Sequence, residues 1–281
     1  MTPLRFPPMA SGKKSKAARR AAAAAPPPVQ SKGSPRRRQA DPRVLWGGAA
    51  VAVLVVVGII LGVTLGGGGS SSGIPKGTPT IGSAAAGLPG SDEARDLFKG
   101  IPQDGVYLGS PKAPVQMVMY IDLQCPFCQN YETTVMPTIV KKYVRTGKVR
   151  VKVEPWAFIG PDSIRGQKAM FAAAKQDKAW TFAEVLYLNQ RTENTGWLDD
   201  AMIAQIAASV DGLDVPRLFK DRNAGDVKSQ ASDVAAAAKE SGVSGTPTVF
   251  VGKTGQKPKL VGANGAVPDL AQTTAAIDAA L

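Results

Sequence analysis

Cys125 and Cys128 are the only cysteines in a chain of 281 residues, and only Pro126 and Phe127 separate them. Their neighbours constrain the local fold. An apolar run, Val115 to Leu123, leads in, and a segment with helical periodicity begins at Gln129. A strand that runs into a CxxC at a helix N-terminus is the layout of a redox dithiol. The thiolate is the nucleophile of disulfide exchange. Unsatisfied N–H groups and the dipole at a helix mouth favour negative charge at Cys125. Pro126 suits the first turn, where its missing N–H is no loss. Cys128 lies one turn on, so both sulfurs share a side of the helix start, and the spacing permits a tight intramolecular disulfide.

Two other readings compete. A structural zinc needs four N or S ligands, and the chain has no histidine and no third cysteine, so no metal is expected. A merely structural disulfide stays open, although chain-entropy stabilisation is smallest for short loops.

Composition divides the chain. Residues 1–43 carry eleven Lys or Arg and one acid, Asp41, for a net +10; the remainder is only +2. The basicity belongs to a tail, whereas a globular nucleic-acid binder needs a basic face on its fold. No nucleic-acid partner is expected. The tail, with Pro26-Pro27-Pro28 and Arg36-Arg37-Arg38, cannot bury enough apolar surface to offset its ordering entropy, and reads as a disordered cytoplasmic segment. Val44 to Leu65 follows, 22 uncharged residues. At about 1.5 Å per residue such a helix spans a hydrocarbon core of roughly 30 Å. Trp46, near one end, suits the interface. A cleaved leader is the alternative, with Ser83-Ala84-Ala85-Ala86 supplying small residues. A leader's apolar core is usually about 7–15 residues behind a short basic start, so an uncleaved transmembrane helix over 44–65 is expected. Residues 66–90, rich in Gly, Ser, Pro and Thr, read as a flexible linker. Eleven basic residues precede the span and only Lys76 follows it in the linker. That asymmetry puts the N-terminus in the cytoplasm and the C-terminal domain outside, where disulfides persist.

Residues 91–281 read as one α/β unit. Ser91–Lys99 is expected as a short helix capped by Ser91, with an edge strand near Val106–Leu108. Val115–Ile121 is a strand. Gln129–Arg145 is a helix with Tyr131, Val135, Ile139, Val140 and Tyr143 inward and a kink at Pro137. Val149–Val153 alternates at period two. The pattern is then helical from about 160 to 241. Thr248–Val251 and Lys259–Val261 form a hairpin, and Asp269–Leu281 closes with a helix. Trp156, Phe158, Trp180, Phe182 and Tyr187 are expected in the core or on a groove rim, with core the default. Asp199/Asp200, Asp211/Asp214 and Glu154/Asp162 lack ligand spacing and read as solvated. Asp122 is either solvated or a turn cap.

A second motif, Gly245-Thr246-Pro247-Thr248, places a proline at a strand start, where no ladder N–H is required. With the strand-CPFC-helix unit upstream, the chain resembles the DsbA-like branch of the thioredoxin superfamily over about residues 101–281. The words Gly109-Ser110-Pro111-Lys112-Ala113-Pro114-Val115 and Asp122-Leu123-Gln124-Cys125-Pro126 match its lead into the active site, and the helical insertion matches too. The resemblance implies a thioredoxin-like α/β fold with an inserted helical domain, preceded here by one transmembrane helix. It implies a cis Pro247 beside the dithiol and a Thr246 backbone that pairs with an extended substrate segment. It makes Cys125 the exposed nucleophile, Cys128 its buried partner, and Pro126 and Phe127 the pair that tunes redox poise. The chain departs from the branch at two positions. The prototype oxidase has a histidine where this chain has Phe127, and a buried acid where this chain has Met119.

The function expected is a membrane-anchored, extracytoplasmic thiol–disulfide oxidoreductase that forms disulfides in exported proteins. Its redox group is the Cys125–Cys128 disulfide, with no separate cofactor. A quinone-linked membrane partner of the DsbB or vitamin K epoxide reductase (VKOR) type would reoxidise it. The alternatives are a reductase or isomerase of the same fold, or a non-catalytic tethered adaptor that binds peptides.

Overall fold

Val115–Ile121 (β3) is the strand on which the architecture turns, because its two faces support different layers. Val115, Met117, Met119 and Ile121 are buried in the main core with Tyr131, Ile139, Tyr143 and Ile277. Val118 and Tyr120 face the opposite way and belong to a separate cluster with Ala238 and Val243. The computed structural model describes residues 73–263 and 265–281. The expected tail (1–43), anchor (44–65) and first linker residues (66–72) lie outside the described residues. Among the described residues, no helix is long and apolar enough to cross a membrane.

The sheet has six strands in the order β1-β2-β4-β3-β5-β6. β1 (Gln103–Asp104) and β2 (Tyr107–Leu108) form an edge hairpin antiparallel to β4 (Val149–Pro155). β3 and β4 run parallel, from Val115 opposite Val149 to Ile121 opposite Pro155. β5 (Thr248–Lys253) is antiparallel to β3, with Tyr120 opposite Thr248, and pairs outward with β6 (Lys259–Leu260). The C-terminal end of β3 and the N-terminal end of β5 are therefore adjacent, so the chain just after β3 and the chain just before β5 meet at one end of these interior strands.

Helix α1 (Ser91–Phe98) precedes the sheet. The expected cap is displaced by one residue. Gly90, at φ 81°, is the N-cap, and Ser91 lies inside the helix. Only glycine enters that left-handed region without steric cost. α2 (Pro126–Thr134) and α3 (Met136–Ile139) follow β3 and continue into a π turn over Val140–Val144. The break at Val135 is the expected kink. Pro137 removes a donor, and its ring crowds the carbonyl of the preceding turn. All five expected inward residues of this segment are buried.

The helical insertion comprises α4 (Pro161–Ala174), α5 (Ala179–Leu188), α6 (Asp200–Ala208), α7 (Val215–Asp221) and α8 (Gly225–Glu240). α9 (Leu270–Ala280) closes the chain, capped by a reciprocal Asp269–Gln272 box. Gly166 marks where the insertion meets the site. A Cβ there would lie 2.8 Å from Leu198 Cδ2 and 3.1 Å from Leu123 Cβ, so α4 approaches the residues before Cys125 as closely as backbone allows.

Two expectations about polar segments change. Part of the expected linker is docked on the insertion. Gly82 N donates to the Leu213 carbonyl at 2.9 Å, Ser83 N to the Ala208 carbonyl at 2.8 Å, and Ala84 N to Asp211 Oδ1 at 2.7 Å. The carboxylates read as solvated are mostly engaged. Asp199 and Asp214 cap α6 and α7, Asp200 forms a two-pronged pair with Arg222, and Asp162 and Glu154 are buried against Arg165 and Lys152. Local N–H groups, two arginines and Lys152 supply these partners.

Candidate active site

The dithiol sits where the sequence pattern puts it, at the junction of β3 and α2. Cys125 is the N-cap of α2 and Pro126 its first residue. The Cys125 carbonyl accepts the first helical bond from Gln129 N at 3.0 Å, and Cys125 N donates to the Asp122 carbonyl at 3.0 Å. Both thiols are free. Cys128 is fully buried, and Cys125 is only 4% exposed, less open than the resemblance implied. The covering comes from the loop before β5. Cys125 Sγ lies 3.3 Å from the Thr246 carbonyl oxygen, and the Thr246–Pro247 peptide bond is cis.

Burial and hydrogen bonding split the two thiols. Cys125 is pulled down to about 6. The Cys128 side chain donates to it, and the backbone N–H groups of Cys128 and Phe127 also help, against the opposing effect of burial. Cys128 is pushed well above the ordinary thiol value, chiefly by burial and then by Cys125 beside it. An acid sulfur thus lies over a neutral one without any imidazolium, because hydrogen-bond donors at a helix mouth favour the thiolate. Met119, at the position of the branch's buried acid, is fully buried among apolar residues.

Around Cys125 opens a cleft of about 570 Å³. Pro126, Phe127, Phe158, Ile159 and Val267 form apolar walls, the Gly245–Thr248 strand start forms one side, and Glu193 is the only charged lining residue among the described residues. Phe127 is 64% exposed and Phe158 46%. Phe158 stacks on Trp156 with ring centroids 4.5 Å apart. The five aromatics singled out in the sequence therefore divide. Trp180, Phe182 and Tyr187 are core, Phe158 lines the cleft, and Trp156 is half-buried beneath it against the smaller core clusters.

The thioredoxin family model matches residues 102–260, more than half of the chain. A probable disulfide bond formation protein D of Bacillus cereus is 32% identical over 163 residues, covering 57% of this chain and 74% of that protein. The chain belongs to the DsbA-like branch of the thioredoxin family. Disulfide bond formation protein D of Bacillus subtilis is 24% identical over 165 residues, with the same coverage. The crystal structure of oxidised BdbD from that organism superposes with a TM-score of 0.55 at 22% identity, covering 63% of this chain and 92% of that one, and shows the shared fold. As a DsbA-like protein the chain is a thiol–disulfide oxidoreductase.

This DsbA-like site contains residues that the sequence reading passed over or left undecided. Asp122 is 1% exposed and accepts four hydrogen bonds, so it is neither solvated nor a simple cap. Gln124 and Ser163 are buried beside it. Tyr187 donates from its hydroxyl to the Asp122 carbonyl at 3.2 Å, behind the dithiol. Glu132, one turn after Cys128, and Glu184 of α5 are also buried. Burial drives Glu132 well above the usual carboxyl range, reinforced by Glu184, and lifts Glu184 to about 7. A signal for Glu132 was present. It shares with Cys128, Val135 and Ile139 the inward stripe of the helix, where a charged residue is out of place.

Proposed function

We propose that this oxidoreductase forms disulfides in protein clients outside the cytoplasm, held there by the apolar span Val44–Leu65 with its N-terminus inside. One arrangement supports the direction of electron flow: Cys125 caps the helix that begins at Pro126, where hydrogen-bond donors favour its thiolate, over a fully buried Cys128 at the side of an apolar cleft. Stabilising the thiolate stabilises the reduced form, and that makes the disulfide a stronger oxidant. A low leaving-group pKa also speeds release of Cys125.

The cycle starts from the Cys125–Cys128 disulfide. A client thiolate attacks Cys125 Sγ. The Cys125–Cys128 bond breaks, Cys128 leaves as the thiolate and takes up a proton, and a client–Cys125 disulfide forms. A second client thiolate then attacks the client sulfur of that bond. Cys125 leaves as the thiolate, the client is oxidised by two electrons, and the dithiol is reduced. The client lies in the cleft as an extended segment, its backbone along Thr246 and Pro247, its apolar side chains on Phe127 and Phe158. A quinone-linked membrane protein of the DsbB or VKOR type takes the two electrons and restores the disulfide. The names of the Bacillus relatives support this direction.

The test is the reduction potential, measured alongside oxidation of reduced ribonuclease and reduction of insulin. A potential well above the roughly −270 mV of thioredoxin, with ribonuclease oxidised faster than insulin is reduced, is expected. A thioredoxin-like value would assign the protein to the reductases. A Cys128→Ser chain that traps no mixed disulfide through Cys125 would leave the tethered adaptor as the better reading.

A further inference from the structure

Asp122 stands three residues before Cys125, and every hydrogen bond to its carboxyl group is donated by a segment of the site. Oδ1 accepts from Gln124 N at 2.9 Å and from Ser163 Oγ at 2.7 Å. Oδ2 accepts from Phe158 N at 3.0 Å and Ile159 N at 3.2 Å, the two residues that form one wall of the cleft. Gln124 continues the connection. Its Nε2 donates to Ser163 Oγ at 2.9 Å, and its Oε1 accepts from Asn194 N at 2.7 Å, beside the cleft residue Glu193. Asp122, Gln124 and Ser163 are all essentially inaccessible to solvent. Two loops distant in sequence, one after β4 and one after α5, thus hang from the residues that deliver Cys125.

We propose that Asp122, with Gln124 and Ser163, is a positioning unit for the client: it fixes the Phe158–Ile159 wall and the Glu193 loop relative to the Cys125 sulfur. It rests on the reading of the cleft as the seat of an extended client. The side chains of the unit leave the chemistry of the sulfurs to the helix mouth and the Thr246 loop; the direct link from Asp122 to Cys125 runs through its main-chain carbonyl, which a side-chain substitution keeps. The physical reason for a carboxyl group at this place is its acceptor capacity. Four donors converge on two oxygens, and a buried N–H without a partner is costly. An amide has one accepting oxygen, so asparagine at 122 turns an N–H toward one pair of donors and lets a wall move. In a site that positions reacting groups, a displacement of about 1 Å is enough to cost a large factor in rate.

The experiment compares two oxidations by the full chain, wild type and Asp122→Asn: of glutathione, which needs no cleft, and of a two-cysteine peptide, which does. For Asp122→Asn, kcat/KM toward the peptide is expected to fall about tenfold, mainly through KM, equivalent to about 1.4 kcal/mol. The glutathione rate and the reduction potential are expected to stay within about twofold and about 10 mV of wild type, the potential shift being a factor of about two in the redox equilibrium. Ser163→Ala, which keeps all three backbone donors and removes one hydroxyl, is expected to show the same selective loss at smaller size, and it serves if Asp122→Asn folds poorly. Equal losses on peptide and glutathione, or a shifted potential, would overturn the proposal by showing that the unit serves the dithiol itself. No loss on either substrate would overturn it too. A wild-type chain that oxidises neither substrate would instead remove the oxidase reading beneath it.

Discussion

Phe127 stands where a histidine could stabilise the neighbouring thiolate, yet Cys125 is still an acid thiol. The main stabilising contact is Cys128, so the acidity belongs to the pair. Alkylation of reduced protein should titrate with a midpoint near 6, and Cys128→Ala should move that midpoint upward. The sign for stability follows from the depressed value. The thiolate's contribution to the reduced form is fully present above the ordinary thiol pKa of 9.0 and is lost as the pH falls through about 6. Glu184 behaves the opposite way. Its carboxyl is raised from 4.5 to about 7, so its contribution is fully present below 4.5 and is lost as the pH rises through about 7. Glu184→Gln should therefore stabilise the protein at pH 8, on the order of 1–3 kcal/mol, and flatten the unfolding free energy between those limits. Denaturant unfolding across that range measures both. A destabilised Glu184→Gln at pH 8 would contradict the assignment of burial as the cause.

At the scale of elements, the insertion α4–α8 does two jobs. Gly166 of α4 and the Phe158–Ser163 segment lock onto the chain before Cys125, while the far side of the insertion receives the docked strap around Gly82. That strap depends on close backbone approach. A Cβ at Gly82 would collide with the carbonyl oxygens of Val210 and Ala207, which no side-chain rotation can relieve. Gly82→Ala should cost about 1–3 kcal/mol, seen as a lower Tm, with the alkylation midpoint of Cys125 unchanged. An unaltered Tm would show that the strap contributes nothing to the fold. The strap escaped the sequence reading because Gly, Ser and Pro signal a tether when read alone. Their docking comes from acceptors on α6 and the turn after it, more than 100 residues on, including Asp211, 127 residues from Ala84.

For the whole molecule, the proposed anchoring makes the chemistry depend on which side of a membrane it faces, and charge distribution carries that expectation. In that proposal the net +10 of residues 1–43, against a nearly neutral remainder, serves as the orientation signal. Deleting residues 1–40 should lower the fraction of chains whose Cys125 is reached by a membrane-impermeant thiol reagent in intact cells. The Cys125 midpoint after solubilisation should remain near 6. If accessibility is unchanged by the deletion, the tail does not set topology.

The neighbours of Cys125 along the chain were sufficient to locate the dithiol. The apolar run, the CPFC spacing and the helical period all act within one or two turns, where local backbone physics decides the outcome. The helical insertion was legible for the same reason: the pattern from about 160 to 241 carries its own helical period. The second motif pointed to Thr246-Pro247, but its contact with Cys125 joins residues 121 apart. Asp122 could not be decided from sequence, since its donors arrive from Phe158, Ile159 and Ser163, up to 41 residues away. Nor could the acidity of Cys125 without histidine, nor the raised carboxyls of Glu132 and Glu184. Sequence determines which groups can donate, accept or ionise. Burial and the supply of partners decide what each one does, and only the packing of distant segments fixes those.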